Sequence, residues 1–507
     1  MASDGQGAGE PGARARQLIL RGGRSAAIGL VIRFGARILF LFVAARLFGA
    51  VLFGAYSLAV ALVELGVVIG GLGMKRLLFK LLDEDESGRN PAHIVLDAAV
   101  VVGAVSLALS ALVIGLVALP PVHDLLGETA WPLLILAPMI AGQALLDLLL
   151  AATRWKHRMR YEVVGRSIVE PYAGVAATLA AYFAGFSETG LLIGYWAGTL
   201  AALVYAVAGT RSAFGSLSLR SYRLAPGRGR AILREGAMPM AGDLAGGFFT
   251  RLDLYLVGIM LGEGPAGIYG VARQVRTPIR QVRQSFDGLL TPIVARTLAA
   301  RGAPETGLAL ASAARLILAI QLPILIALAA IGVPLLTWFG PEFAAGYWAM
   351  LLLGTAEAVQ GAFGIGDLIL LYRRPALVVK VVAAAIAVNL AVGWLLIREL
   401  GIDGAALAVL AAIVTSAILR RILLRSRFAV RVPFYHSAAP IAAAAVAAAA
   451  VHAATRLTGA APWGPLLVLA SGLVAYVVIL RLWLAIAGDN LALRHFEAME
   501  STRRCSE

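Results

Sequence analysis

Residues 33–76 read RFGARILFLFVAARLFGAVLFGAYSLAVALVELGVVIGGLGMKR. Two long apolar runs are joined here by only Phe48 to Leu52, and the stretch closes on the basic pair Lys75 and Arg76. Each run approaches the ~20 residues that carry a helix across ~30 Å of hydrocarbon. Continuous apolar runs, unlike alternating ones, predict helices, because a helix satisfies its own backbone hydrogen bonds in lipid. Similar runs recur to the far end of the 507 residues, of which 60% are hydrophobic and 14% charged. Mean hydropathy is +0.84. A water-soluble fold has too little interior to hide that much apolar surface. The fold class is therefore all-α, a polytopic membrane protein.

Polar breaks divide the chain into about fourteen transmembrane helices. They fall near 26–48, 53–74, 93–119, 131–153, 160–185, 190–210, 236–262, 266–295, 308–334, 346–371, 375–397, 403–424, 437–455 and 464–487. The breaks alternate in charge. Arginines 14, 16, 21 and 24 precede the first helix, and Lys75, Arg76, Lys80 and Arg89 follow the second. Further clusters follow each even-numbered helix: Arg154 to Arg160, Arg211 to Arg234, Arg296 and Arg301, Arg373 and Arg374, Arg420 to Arg431, and Arg494 to Arg504. The intervening loops carry almost no Lys or Arg, with Arg46, Arg398 and Arg456 as exceptions. Cytoplasmic loops gather positive charge, so both termini are expected in the cytoplasm. The net charge of +15 is thereby explained without nucleic acid, for which no basic patch with interleaved aromatics exists. Cys505 is the only cysteine, which excludes an internal disulfide or a cysteine metal cluster. The Gly/Ala/Arg-rich start reads as a cytoplasmic tail and not as a cleaved signal.

A repeat organises the helices. LFGAVLFGAYSLA at 47–59 and MLGEGPAGIYGVA at 260–272 align Gly49, Gly54, Tyr56 and Ala59 with Gly262, Gly267, Tyr269 and Ala272, each 213 positions on. The expected domains are a cytoplasmic tail (1–24), an N-lobe of six helices (25–212), a cytoplasmic linker (213–235), a C-lobe of six helices (236–426), two further helices (427–488) and a second tail (489–507). Six helices separate the copies, so the repeat is parallel, with a pseudo-two-fold axis along the membrane normal and a cavity between lobes. Helix thirteen is mostly alanine and is expected to lean on a neighbour.

Charges inside the bilayer are costly and mark function or pairing. Arg273, Arg276, Arg280 and Arg283, continued by Asp287, form a stripe about 15 Å long on the eighth helix, which Pro278 is expected to kink. One reading is a cationic track for pyrophosphate or acidic sugars, because guanidinium grips phosphate bidentately. The other is interhelical ion pairing with snorkelling at the ends. Nearby acids look too few to neutralise the row. Arg33 and Arg37 share a face of the first helix. Glu64, Asp253 and Glu357 lie mid-helix and are candidates either for proton or sodium coupling or for partnering an arginine. Glu162, Arg166 and Glu170 form a self-neutralising row, and Asp97, Asp147, Asp367 and Lys380 read as solvated helix ends. Trp131, Trp338, Trp348 and Trp463 read as an interfacial aromatic belt. No phosphate-binding glycine loop, metal-ligand cluster or nucleophile–base pair is visible, so neither an enzyme nor a cofactor is expected.

The stretch 33–76, with Pro239, Asp253, Gly262, Gly267, Tyr269, Ala272 and Pro292, resembles the oligosaccharide flippases of the multidrug/oligosaccharidyl-lipid/polysaccharide exporter superfamily. The resemblance implies a two-lobed transporter in a bacterial inner membrane. It would flip undecaprenyl-pyrophosphate-linked O-antigen or exopolysaccharide units by alternating access, often with an H+ or Na+ gradient and beside polymerase and export machinery. In relatives that flip the peptidoglycan precursor, cationic residues of helices one, two and eight line the cavity. Arg33, Arg37 and the Arg273–Arg283 row stand on comparable helices. A drug/cation antiporter of the same superfamily, a lipid II-type flippase, a polymerase or ligase, and a membrane scaffold are the other readings.

Overall fold

Gly49 turns the chain back on itself. The computed structural model describes residues 10–84, 90–215, 227–286, 290, 302–367, 369–370, 374–433, 437–458 and 464–486, with side chains from Gly35 onward. Its first helix, Glu10–Gly70, is interrupted at Gly49, where φ is 72° and ψ 177°, a conformation open essentially to glycine alone. The rings of Phe40 and Tyr56 lie 6.0 Å apart, whereas an unbroken helix would separate these positions by about 24 Å. The tight turn expected at 48–52 is thus a helical hairpin. Gly262, 213 positions later, has nearly the same backbone (φ 86°, ψ −174°), and the aligned Tyr56 and Tyr269 are both buried. Gly49→Ala and Gly262→Ala are each expected to lower stability by about 1–3 kcal/mol. Gly115→Ala, at a position where a Cβ meets nothing within 4 Å, is expected not to. Melting in detergent checks this, and equal curves for all three would contradict the role given to the two turns.

The chain divides into two units, Met1–Arg251 and Leu252–Glu507. In the first, the helix Pro91–Val117 has Pro91 at its start, where a missing N–H is harmless, and Asn90 caps Ala92 N at 2.9 Å. The span expected at 131–153 is two helices, Ala130–Leu136 and Met139–Trp155, with Pro138 at the break. Glu170–Phe183 packs closely on Gly190–Phe214 because the contact is made of glycines. A Cβ on Gly198 would stand 2.6 Å from Glu170 O, and one on Gly194 would collide with Thr178.

One element goes unseen in the sequence, where its residues read as a loop. Met74–Asp83 is a helix whose Met74, Leu77, Leu78, Leu81 and Leu82 are buried while Lys75, Arg76 and Lys80 face out. It joins a core that includes Ile94, Leu146, Leu148 and Ile232. The helix Arg228–Phe249 also belongs to this first unit. A Cβ on Gly73 would sit 2.6 Å from Pro239 Cβ, and Arg76–Asp243 (3.1 Å) and Lys80–Glu235 (3.2 Å) are ion pairs. The first unit ends at Arg251, within the span expected at 236–262 and at the interruption between Arg228–Phe249 and Leu252–Leu261.

In the second unit, Pro375–Phe428 is a hairpin broken at Gly401 (φ 58°, ψ −134°). A Cβ on Gly404 would collide with Leu396 O, and one on Gly393 would lie 3.6 Å from Ala408 Cβ, so the two arms run back along each other. The alanine-rich helix Ala438–Thr458 packs on Gly464–Ile486 and on Ala303–Phe339, burying Ala443 and Ala447. Tyr476 bonds Ala319 O at 3.3 Å, which ties these last helices to the unit's core.

Helical segments overlie all the stretches expected from sequence, and no strand occurs among the described residues. Seven of the described helices are long and apolar enough to cross a membrane, or nine when two bent pairs are each taken as one span. Two of the seven contain the reversals at Gly49 and Gly401. Large apolar side chains such as Leu107, Leu112, Val204, Leu395 and Val474 are exposed, as a surface against lipid tails requires. The protein is a multi-pass membrane protein. Asp287, Pro292, Trp463 and the 489–507 tail with Cys505 lie outside the described residues.

Candidate cationic and coupling sites

The arginine row of the second unit does not form one stripe. The helix Glu263–Val275 stops, Arg276 occupies a turn, and helix resumes over 277–286. Pro278 has no N–H to offer the Gln274 carbonyl, which is the kink expected from sequence. Gln321 Nε2 donates to Ile279 O at 2.8 Å, satisfying a carbonyl beside the break.

The break sends the four arginines to different surroundings. Arg273 Nε lies 3.2 Å from Asp253 Oδ2, the oxygen that also accepts from the buried Tyr269 hydroxyl at 2.8 Å. Arg276 is buried, with Nη1 2.6 Å from Glu357 Oε1 and 3.5 Å from Leu353 O. Arg283 reaches Gly364 O at 3.4 Å. Arg280 is exposed and makes no hydrogen bond or ion pair among the described residues. The expected shortage of neutralising acids does not hold for half of the row: Asp253 and Glu357, brought in from other helices, pair with Arg273 and Arg276. The most available cation is Arg280.

Arg420 reads in the sequence as the start of the basic cluster at the cytoplasmic end of the twelfth helix. It is buried within Pro375–Phe428, its Nε 2.5 Å from Asp367 Oδ1 and its Nη1 3.0 Å from Gln360 Oε1. The helix simply runs further than its apolar stretch. Asp367 is correspondingly paired, not merely solvated, whereas Lys380 is exposed as expected.

The first unit holds a polar cavity of about 650 Å³. Glu64 lines it and accepts from Arg251 Nε at 2.8 Å and from its Nη2. Deeper in, Arg166 pairs with Asp147 and, at 2.9 Å, with Glu170, and it donates to Gln143 Oε1 at 2.9 Å. Lys75 Nζ completes the cluster, 2.9 Å from Asp147. Asp147 is therefore a node of the network and not a free helix end. Asp97 is fully buried, again against expectation. The Glu162–Arg166–Glu170 row is also split, because Glu162 turns to Arg154 at 3.1 Å. A π-helical segment, Gly165–Val169, lies between them and shifts the register that the i, i+4 spacing assumed. On the helix Glu10–Gly70, Arg37 is exposed, and the Arg33 side chain lies outside the described residues. Trp131, Trp338 and Trp348 are exposed, as an interfacial belt requires.

Residues 19–297 match the family described as polysaccharide biosynthesis protein, more than half of the chain, including the whole arginine row. The chain belongs to that family. Its fold is similar to that of "Lipid II flippase MurJ, inward closed conformation", with a TM-score of 0.73 at 14% identity, covering 91% of this chain and 99% of that one. It is also similar to an inward-facing multidrug resistance MATE family transporter of the MOP superfamily, with a TM-score of 0.61 at 13% identity over 79% and 98% of the two chains. The MATE multidrug transporter DinF-BH gives 0.53 at 16% identity over 84% and 99%. No curated protein matches by sequence. The family member described here thus shares its fold with these solved structures.

Proposed function

We propose that the protein flips undecaprenyl-pyrophosphate-linked oligosaccharide repeat units from the cytoplasmic to the periplasmic leaflet of a bacterial inner membrane. Transport is by alternating access, for polysaccharide or O-antigen export. The family match across residues 19–297 supports this reading best, since it combines polysaccharide biosynthesis with a fold shared by flippases. In this reading fourteen spans place both termini in the cytoplasm. Cysteines at 230 and 425 on a Cys505→Ser background should then label from the cytoplasmic side alone, and periplasmic labelling of either would sink the topology. In the second unit Arg280 and Arg283 receive the pyrophosphate, while Arg273 and Arg276 are held by acids.

A multidrug/cation antiporter is the second reading. It is favoured by the five carboxylates lining the first unit's cavity, Glu64, Asp147, Glu162, Glu170 and Asp243. Lys75, Arg76, Arg166 and Arg251 line the same cavity and offset most of that charge. Purified protein separates the two readings: a lipid-linked oligosaccharide should bind and a lipophilic cationic dye should not. The reverse preference would overturn the flippase reading.

For ion coupling, the three carboxylates differ in access. The side chains of Asp253 and Glu357 are 4% and 11% exposed, that of Glu64 46%. An H+ or Na+ must reach the carboxylate it binds, so Glu64, on the cavity wall beside Arg251, is the coupling residue in this account. Glu64→Gln is expected to remove gradient dependence from transport while leaving the folded protein intact. Wild-type gradient dependence in Glu64→Gln would discard it.

A further inference from the structure

A recess of about 510 Å³ in the second unit has walls and charges unlike those of the sites above. Leu308, Phe363 and Leu424 are among its apolar walls, and Arg421, Arg425 and Arg431 stand around it. All three arginines are exposed, and none makes a hydrogen bond or ion pair among the described residues. No acidic side chain lines the recess among the described residues. Arg421 and Arg425 are one helical turn apart and so share a face. Arg431 comes from the segment beyond the helix, which is packed so tightly that a Cβ on Gly307 would collide with Arg431 O. Pro304, in the first turn of Ala303–Phe339, also lines the recess and brings the positive end of a 37-residue helix to it.

Topology alone asks for arginines at these helix ends, but it does not ask for three of them around one apolar hollow. We propose that the recess binds the headgroup of an anionic phospholipid of the cytoplasmic leaflet, with the phosphate on the arginines and the first acyl methylenes along the apolar wall. The volume lies within the ~300–1,000 Å³ usual for a small-ligand site. Basic pockets between transmembrane helices on the cytoplasmic side suit such headgroups. The orientation rests on the topology proposed above, but the binding chemistry does not depend on what the protein transports.

The test uses purified full-length protein in neutral detergent, with phosphatidylglycerol, cardiolipin, phosphatidylcholine or inorganic phosphate added. Retention is read by native mass spectrometry and stabilisation by melting. Wild type is expected to retain phosphatidylglycerol or cardiolipin over phosphatidylcholine. The triple variant Arg421→Ala/Arg425→Ala/Arg431→Ala is expected to bind at least about tenfold more weakly. Arg211→Ala/Arg230→Ala/Arg234→Ala removes three exposed arginines elsewhere and is expected to bind as wild type. Leu308→Trp, which fills the hollow and keeps the charges, is expected to lose retention too. Equal loss in both triple variants, unchanged retention in the first, or phosphatidylcholine held equally well would overturn the proposal. Inorganic phosphate stabilising as strongly as the lipids would reassign the recess to free phosphate.

Discussion

Arg276→Ala is expected to destabilise the protein by about 3–5 kcal/mol, because it strands Glu357 as a buried, unpaired carboxylate. The two side chains are 8% and 11% exposed, and their 2.6 Å contact joins the broken eighth helix to Tyr347–Phe363. Glu357→Ala should cost a similar amount, since among the described residues it leaves the guanidinium with only Leu353 O as a hydrogen-bond acceptor, at 3.5 Å. Replacing both partners by apolar residues of like volume, as in Arg276→Met/Glu357→Leu, should restore most of the loss, because nothing charged then remains to be desolvated. Unfolding in detergent across the double-mutant cycle gives the coupling. A well-folded Arg276→Ala protein of wild-type stability that no longer binds lipid-linked oligosaccharide would reverse the assignment and return Arg276 to the substrate.

Arg280→Ala is expected to do the opposite: weaken substrate binding about ten- to a hundredfold and leave stability unchanged. The side chain is exposed and holds nothing else in place among the described residues. A charge-assisted contact of this kind contributes roughly 1.5–3 kcal/mol. Arg280→Lys should recover part of it, since lysine supplies the charge without the planar fork that grips two phosphate oxygens. Titration of purified variants with a lipid-linked oligosaccharide reads the affinity, and a parallel melt reads the fold. Affinity equal to wild type in Arg280→Ala would leave the cationic site without its principal residue.

These two arginines are four positions apart and look alike in the sequence. What separates them is Glu357, 81 residues away from Arg276. Long-range partnership of that sort leaves no periodic trace, and the same holds for Arg251 and Glu64, 187 residues apart. Helices are legible because apolar length is a local property that lipid enforces everywhere. The hairpin turns are legible too, since Gly49 and Gly262 recur in matching contexts and share a conformation that other residues resist.

What escapes is local but of mixed character. Met74–Asp83 carries an amphipathic pattern in its leucines, yet its lysines and arginine make it look like a loop. Arg420 looks like a solvated helix end because it opens a run of arginines, although the backbone continues to Phe428. The π-helical Gly165–Val169 breaks an i, i+4 argument that assumes regular helix. In each case charge or spacing is a poor substitute for packing.

Movement of a lipid-linked oligosaccharide between leaflets is the proposed activity, and the expectations for Arg280 and Glu64 refer to it. Purified protein in proteoliposomes tests it directly, with a fluorescent undecaprenyl-pyrophosphate oligosaccharide and a membrane-impermeant quencher to report its leaflet. Wild type is predicted to expose the label to the quencher far faster than protein-free vesicles do, and Arg280→Ala to slow this exposure. Exposure no faster than in empty vesicles, from protein that exports a cationic dye in the same membranes, would contradict it.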